Sequence, residues 1–151
     1  MPYDENGKRL PGEWPPSPYL VPKEVAERLG VSTRAANLVI ASTRHVRVTP
    51  TLLRIEAVDL EDWMALANGV VYFVRARGLV KIGFTVDLAT RLKTLRSMSP
   101  APVSLLGTIK GSLRLERFLH EHFRKHHAHH EWFRAHESIV GLFPKATGEA
   151  A

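Results

Sequence analysis

Residues 70–96 read VVYFVRARGLVKIGFTVDLATRLKTLR. Val70-Val71-Tyr72-Phe73-Val74 is β-branched and aromatic, the composition that fits a half-buried pleated surface, so it is expected to be a strand. Arg77-Gly78 turns the chain, and Leu79 to Phe84 returns as a second strand, giving a hairpin. Thr85 is placed to cap the next helix, with Asp87 in its electropositive first turn. Leu88, Leu92 and Leu95 form one apolar stripe on that helix, with Arg91 at the stripe's edge and Lys93 facing well away.

Further along, Ser99-Pro100-Ala101-Pro102 ends the helical region, and Val103 to Ile109 is expected to be a third strand closed by Gly111. Ser112 then caps a helix whose apolar face is Leu115, Phe118, Leu119 and Phe123, with Glu116 and His120 one turn apart at its border. A histidine-rich turn leads to Glu131-Trp132-Phe133. The order strand, strand, helix, strand, helix predicts an α+β domain with a three-stranded antiparallel sheet flanked by helices, over residues 69–136. Residues 137–151 are expected to be a C-terminal tail.

Residues 19–66, YLVPKEVAERLGVSTRAANLVIASTRHVRVTPTLLRIEAVDLEDWMAL, have a different rhythm. Pro22 suits a first helical turn, and Val25, Ala26 and Leu29 follow at helical spacing. Gly30-Val31-Ser32 breaks that helix. Ser32 caps a second one from Thr33 to Ser42, with Ala36, Val39 and Ile40 inward and Thr33, Arg34 and Asn37 outward. A short hairpin follows, His45 to Val48 and Leu52 to Ile55 around a Thr49-Pro50-Thr51 turn, and Asp59 is expected to open a last helix. This stretch resembles the small winged helix-turn-helix modules of the excisionase and mercury-regulator type. The resemblance implies a DNA-binding module over 19–68, in which Thr33, Arg34 and Asn37 reach bases or phosphates and Arg47 lies in the hairpin wing. Docking against protein is the alternative, because helix-turn-helix geometry also serves as plain packing.

The charge supports a polyanionic partner, and double-stranded DNA is the expected one. The 151 residues carry a formal net charge of +6. The first 68 hold 8 Lys+Arg against 9 Asp+Glu, whereas residues 69–136 hold 12 against 4. Phosphate contacts are therefore expected from the second half, with Arg75 and Lys93 among them. The absence of cysteine excludes disulfides and thiolate zinc sites, and fits a cytoplasmic protein. No apolar run approaches the roughly 18–20 residues that span a bilayer, so no membrane association is expected. Met1 to Pro18 is polar and proline-rich and reads as a disordered arm, not a signal peptide. Nothing in the pattern fixes an oligomeric state.

The 70–96 stretch also resembles the opening of a GIY-YIG endonuclease. Val70-Val71-Tyr72 stands where that superfamily has Gly-Ile-Tyr, and Lys81-Ile82-Gly83 where it has Tyr-Ile-Gly. The "KIG" form, with LERFLHEHF at 115–123 and EWF at 131–133, is similar to the branch found in phage proteins and in the meiotically-up-regulated-gene domain. The resemblance implies phosphodiester hydrolysis with Mg²⁺ or Mn²⁺. It implies that Glu116 is the metal ligand and that Arg91 is the helix arginine that binds phosphate. Tyr72 is expected to accept a proton from water if Lys81 and the metal lower its pKa, with Lys81 orienting the water or holding a phosphate. His120 lines the same pocket in this reading. The first glycine of the motif is absent and the second tyrosine is replaced by Lys81. A non-catalytic phage-type regulator or recombination accessory factor therefore stands as the alternative. The His122/His126 and His126/His130 spacings raise zinc as a weaker third reading.

Overall fold

A computed structural model describes residues 4–6, 19–49 and 52–144. The arm expected over 1–18 lies outside them, apart from 4–6, as do Pro50 and Thr51 of the expected wing turn.

Strand β1 (Tyr19–Leu20) leads into helix α1 (Pro22–Leu29). Glu24 accepts a hydrogen bond from the Val21 N–H at 3.2 Å, which satisfies one of the helix's free N-terminal donors. Gly30 ends the helix at φ 67°, the left-handed conformation that glycine adopts without steric cost, and the Val31 N–H returns to the Ala26 carbonyl. Ser32 caps helix α2 (Thr33–Ser42) by accepting from the Ala35 N–H at 3.1 Å. Strands β2 (Val46–Thr49) and β3 (Leu52–Glu56) form the expected hairpin, and β1 adds to its other side in the antiparallel order β1-β3-β2. Helix α3 (Ala57–Leu66) starts earlier than expected: Glu56 holds the cap position, and Asp59 sits inside the first turn instead of opening it.

Strands β4 (Gly69–Ala76) and β5 (Leu79–Thr85) pair antiparallel over their length, with Arg77 at φ 51° in the turn. Helix α4 (Leu88–Met98) is capped by Asp87, which accepts from the Thr90 N–H at 3.1 Å and from its hydroxyl at 2.7 Å. Thr85, the expected cap, instead braces Asp87 by accepting from its N–H at 3.0 Å. Strand β6 (Ser104–Gly111) pairs with β4, and helix α5 (Leu113–His122) follows. Ser112 holds the α5 cap position without a side-chain cap bond. Two short strands, β7 (His127–His129) and β8 (Trp132–Arg134), extend the three expected strands into a sheet of order β6-β4-β5-β8-β7. The class is the expected α+β, with antiparallel sheets throughout.

The expected tail is structural over residues 137–144, and 145–151 lie outside the described residues. It opens with helix α6 (Glu137–Val140); Ile139 and Leu142 are buried in the main core, and the Phe143 ring packs tilted against Phe73 with centroids 4.8 Å apart. That core joins both halves of the chain. Ala35, Leu38 and Val39 of α2 share it with Val71, Phe73, Ile82, Ile109, Leu115 and Leu119. The other side of α2, Ala36 and Ile40, packs with Leu20, Val25, Ile55 and Leu60 in a second core. Val39, expected to face its own module, therefore faces the other. The reason is composition: five of the ten α2 residues are buried, and small Ala35 and Ala36 let structure approach closely from both sides.

Candidate active site

Side chains alternate across a sheet, so cross-strand partners share a face. Tyr72 pairs with Gly83, and Val74 with Lys81. These four positions form the face on which α4 lies, where Tyr72 and Val74 pack with Leu92. Gly83 is needed here because the Tyr72 ring lies across it, in the space a β-carbon would occupy. Asp87 fixes the start of α4, and Arg91, one turn on, acts electrostatically on the Tyr72 hydroxyl. Arg91 is exposed, and among the described residues no ion pair holds it.

Glu116 comes from the opposite layer, because α5 covers the other face of the sheet. It reaches the site around the edge of β5. Strand β8 pairs only with Leu79–Lys81, so the outer edge of β5 beyond Lys81 has no strand partner. Other groups satisfy that edge. The Ile82 N–H donates to the Glu131 carbonyl at 3.1 Å, and His120 Nε2 donates to the Ile82 carbonyl at 2.7 Å. The Phe84 N–H acts on the Glu116 carboxylate and favours its charged form. His120 Nε2 also lies 3.8 Å from Glu116 Oε1. His120 is thus a clip between α5 and β5, and its Nε2–H is committed to a carbonyl.

Glu116 is buried, and burial is the main cause raising its pKa above the ordinary glutamate value. The Glu131 charge raises it further, while His120, the Phe84 N–H and Lys81 oppose the shift. Burial likewise raises the Tyr72 phenol, with Arg91 pulling it down and Glu131 and Glu116 pushing it up. The expected lowering of Tyr72 by Lys81 is not found, because burial and two carboxylates outweigh the one cation acting on it. Lys81 is instead paired with Glu131 at 2.9 Å, with its ammonium 5.8 Å from the centre of the Trp132 ring.

Tyr72, Lys81, Arg91, Glu116 and His120 therefore gather in one region from four separate elements. Glu131 joins them, unforeseen from sequence. The available signal was its place in the EWF motif, directly before the residue that pairs with Lys81. The expected DNA-contacting residues are scattered. Arg75, exposed on β4, lies on the opposite face from Tyr72 by alternation. Lys93 is exposed but about 200° around α4 from Arg91. Arg47 is exposed on β2, and Thr33 and Arg34 are exposed on α2 with Asn37 half-buried. Arg34 is engaged by both carboxylate oxygens of Glu137, at 2.7 and 3.2 Å. The histidines do not form a metal set: among the described residues, no three of His, Asp and Glu are grouped to hold an ion.

Residues 69–144 match the T5orf172 domain. The chain belongs to the T5orf172 family. This family is phage-associated and endonuclease-related, so membership indicates a phage-type nuclease or DNA-binding role. No curated relative and no solved structure matches the chain. The T5orf172 match begins with β4 and ends after α6, so it includes Ile139, Leu142 and Phe143, which complete the core. Among the described residues, no helix is long and apolar enough to cross a membrane.

Proposed function

We propose that this chain is a divalent-metal-dependent DNA endonuclease of the GIY-YIG type, carrying a helix-turn-helix that directs it to double-stranded DNA. One observation carries the reading. Glu116 is a buried carboxylate in an otherwise basic domain, held against its own desolvation at the rim shared by Tyr72, Lys81 and Arg91. A protein that only bound DNA would gain nothing from this charge, which repels phosphate and costs folding energy.

The donor set suits Mg²⁺ or Mn²⁺. Glu116 offers hard oxygen, with the Glu131 charge in the same field, and a single carboxylate leaves most positions to water and phosphate, as these ions accept. When bound, the ion supplies charge relief on the phosphate and a water acidic enough to attack it. Arg91, free of ion pairs among the described residues, grips a phosphate oxygen with two parallel donors. Tyr72 keeps its proton in the resting site, so its hydroxyl is a donor that orients water or phosphate until a nearby charge draws the proton away. Lys81 holds the phosphate or the attacking water, and His120 ties α5, the helix that carries Glu116, to β5.

The test is nicking of supercoiled DNA by the purified full chain with Mg²⁺ or Mn²⁺ against EDTA, in wild type and Glu116→Gln. The variant keeps the shape but not the charge, so it is expected to bind DNA and not cut it. Equal cutting at equal DNA occupancy would overturn the reading in favour of a binding protein.

A further inference from the structure

We propose that Glu131 is a positioning residue for cleavage, holding the Lys81 ammonium away from Glu116, and that the histidine-rich turn is what delivers it; this rests on the nuclease reading above.

The side chain of Lys81 is only 16% exposed, so its ammonium needs a partner. Two carboxylates act in its neighbourhood, and the one it meets is Glu131, at 2.9 Å. That choice is built into the backbone. Strand β7 ends at His129 and β8 begins at Trp132, leaving His130-Glu131 as a two-residue turn. His130 takes φ 50°, a conformation unusual for a residue with a side chain. His127 Nε2 donates to the His130 carbonyl at 2.7 Å, and the Ile82 N–H donates to the Glu131 carbonyl at 3.1 Å. Both turn residues are thus tied by their carbonyls, one to the hairpin's own strand and one to β5. Trp132, the register partner of Lys81, places its ring beside the ammonium.

The physical need follows from the length of lysine. Its four-carbon stem is flexible and its ammonium is a compact charge that follows the nearest carboxylate. Lys81 already acts on Glu116 electrostatically. Released from Glu131, it would move onto Glu116 and compete with the cation for the same oxygens. Glu131 thus keeps two cations from contending for one carboxylate, and keeps Lys81 where it can meet phosphate or water.

The experiment uses the full chain as wild type, Glu131→Gln, Lys81→Met and the double variant, with nicking measured across a Mg²⁺ series and melting checked for each. Removing a residue that orients a metal site typically costs about 10–100-fold. Glu131→Gln is expected to fall in rate by about that range and to need several-fold more Mg²⁺ for half-maximal cutting. In the Lys81→Met background the same change should cost nothing further, because the competitor is gone. Glu131→Asp should recover part of the rate. A readout independent of cutting is acetylation of lysines in metal-free protein, mapped by mass spectrometry. Lys81 should react faster in Glu131→Gln, while exposed Lys93 and Lys110 stay unchanged. Independent, multiplying losses in the double variant, a wild-type Mg²⁺ requirement in Glu131→Gln, or unchanged Lys81 reactivity would each overturn the proposal. Failure of wild type itself to cut with metal would instead remove the nuclease reading, and the positioning role with it.

Discussion

Leu142→Ala tests whether the two halves of the chain are separate units. Leu142 is 3% exposed and packs in the core that Ala35, Leu38 and Val39 share with the sheet. Its carbonyl also accepts from the Ser32 hydroxyl at 2.6 Å, so the segment after α6 is tied to the start of α2. Removing a buried leucine side chain costs about 2–5 kcal/mol, depending on how far the site collapses. A small protein has about 5–15 kcal/mol in total, so the loss is a large fraction. With a urea slope of about 1–3 kcal/mol/M, the midpoint should fall by about 0.7–5 M. The decisive assay is amide hydrogen exchange, read in peptides covering Ile55–Leu60 and Phe73–Ile82. The first reports the core of Leu20, Val25 and Ile55; the second reports the sheet. Because α2 lies in both cores, both peptides should exchange faster. Faster exchange in the sheet peptide alone would mean that the modules fold independently and that the shared core is not cooperative.

Three further outcomes are expected. Gly83→Ala forces a β-carbon into the Tyr72 ring, and overpacking of this kind costs about 1–3 kcal/mol; urea melting should show this, and cleavage should fall further than stability because Tyr72 is displaced. Arg34→Ala breaks an exposed ion pair with Glu137, so urea melting should change little; if Arg34 also reads a base, competition binding should show relaxed specificity, and unchanged selectivity would remove it as a reader. Glu116→Gln should melt higher than wild type at pH 7, because a carboxylate with a raised folded pKa opposes folding once ionised. That gain should vanish as pH falls below the ordinary glutamate value of about 4.3, and a constant difference across pH would assign it to packing.

Local structure was legible in the sequence wherever one residue type has one use. Pro22, Gly30 and Ser32 punctuate the first two helices where expected, and α2 spans Thr33–Ser42 as read. The strands at 70–74 and 79–84 follow from β-branched runs around Arg77-Gly78. Errors arose where two residues could fill one role: Thr85 and Asp87 competed for the α4 cap, and the acidic side chain took it. The gathering of Tyr72, Lys81, Arg91, Glu116 and His120 came from family resemblance, since no spacing relates four elements in three dimensions. Glu131 was missed because its role depends on a two-residue turn whose strands are three residues each, too short to carry a periodic signal. The shared core was missed because Ala35 and Leu38 widen the apolar face of α2 beyond the single stripe of Ala36, Val39 and Ile40.

The shortness of β8 explains how a carboxylate from one layer serves a face on the other. An unpaired strand edge presents N–H and C=O groups that must be satisfied by another strand, by side chains or by water. Beyond Lys81, β5 offers the N–H and C=O of Ile82 and the N–H of Phe84. The Glu131 carbonyl and His120 take the first two, and the third acts on the Glu116 charge. If β8 continued two residues further along β5, strand bonds would fill this edge and close the gap beside Glu116. The Phe84 N–H lowers the cost of ionising a carboxylate that burial would otherwise neutralise. The same truncation brings the turn containing Glu131 level with Lys81. One short strand therefore sets both carboxylates, and the tight turn before it, not the helix alone, decides where the charge of the site lies.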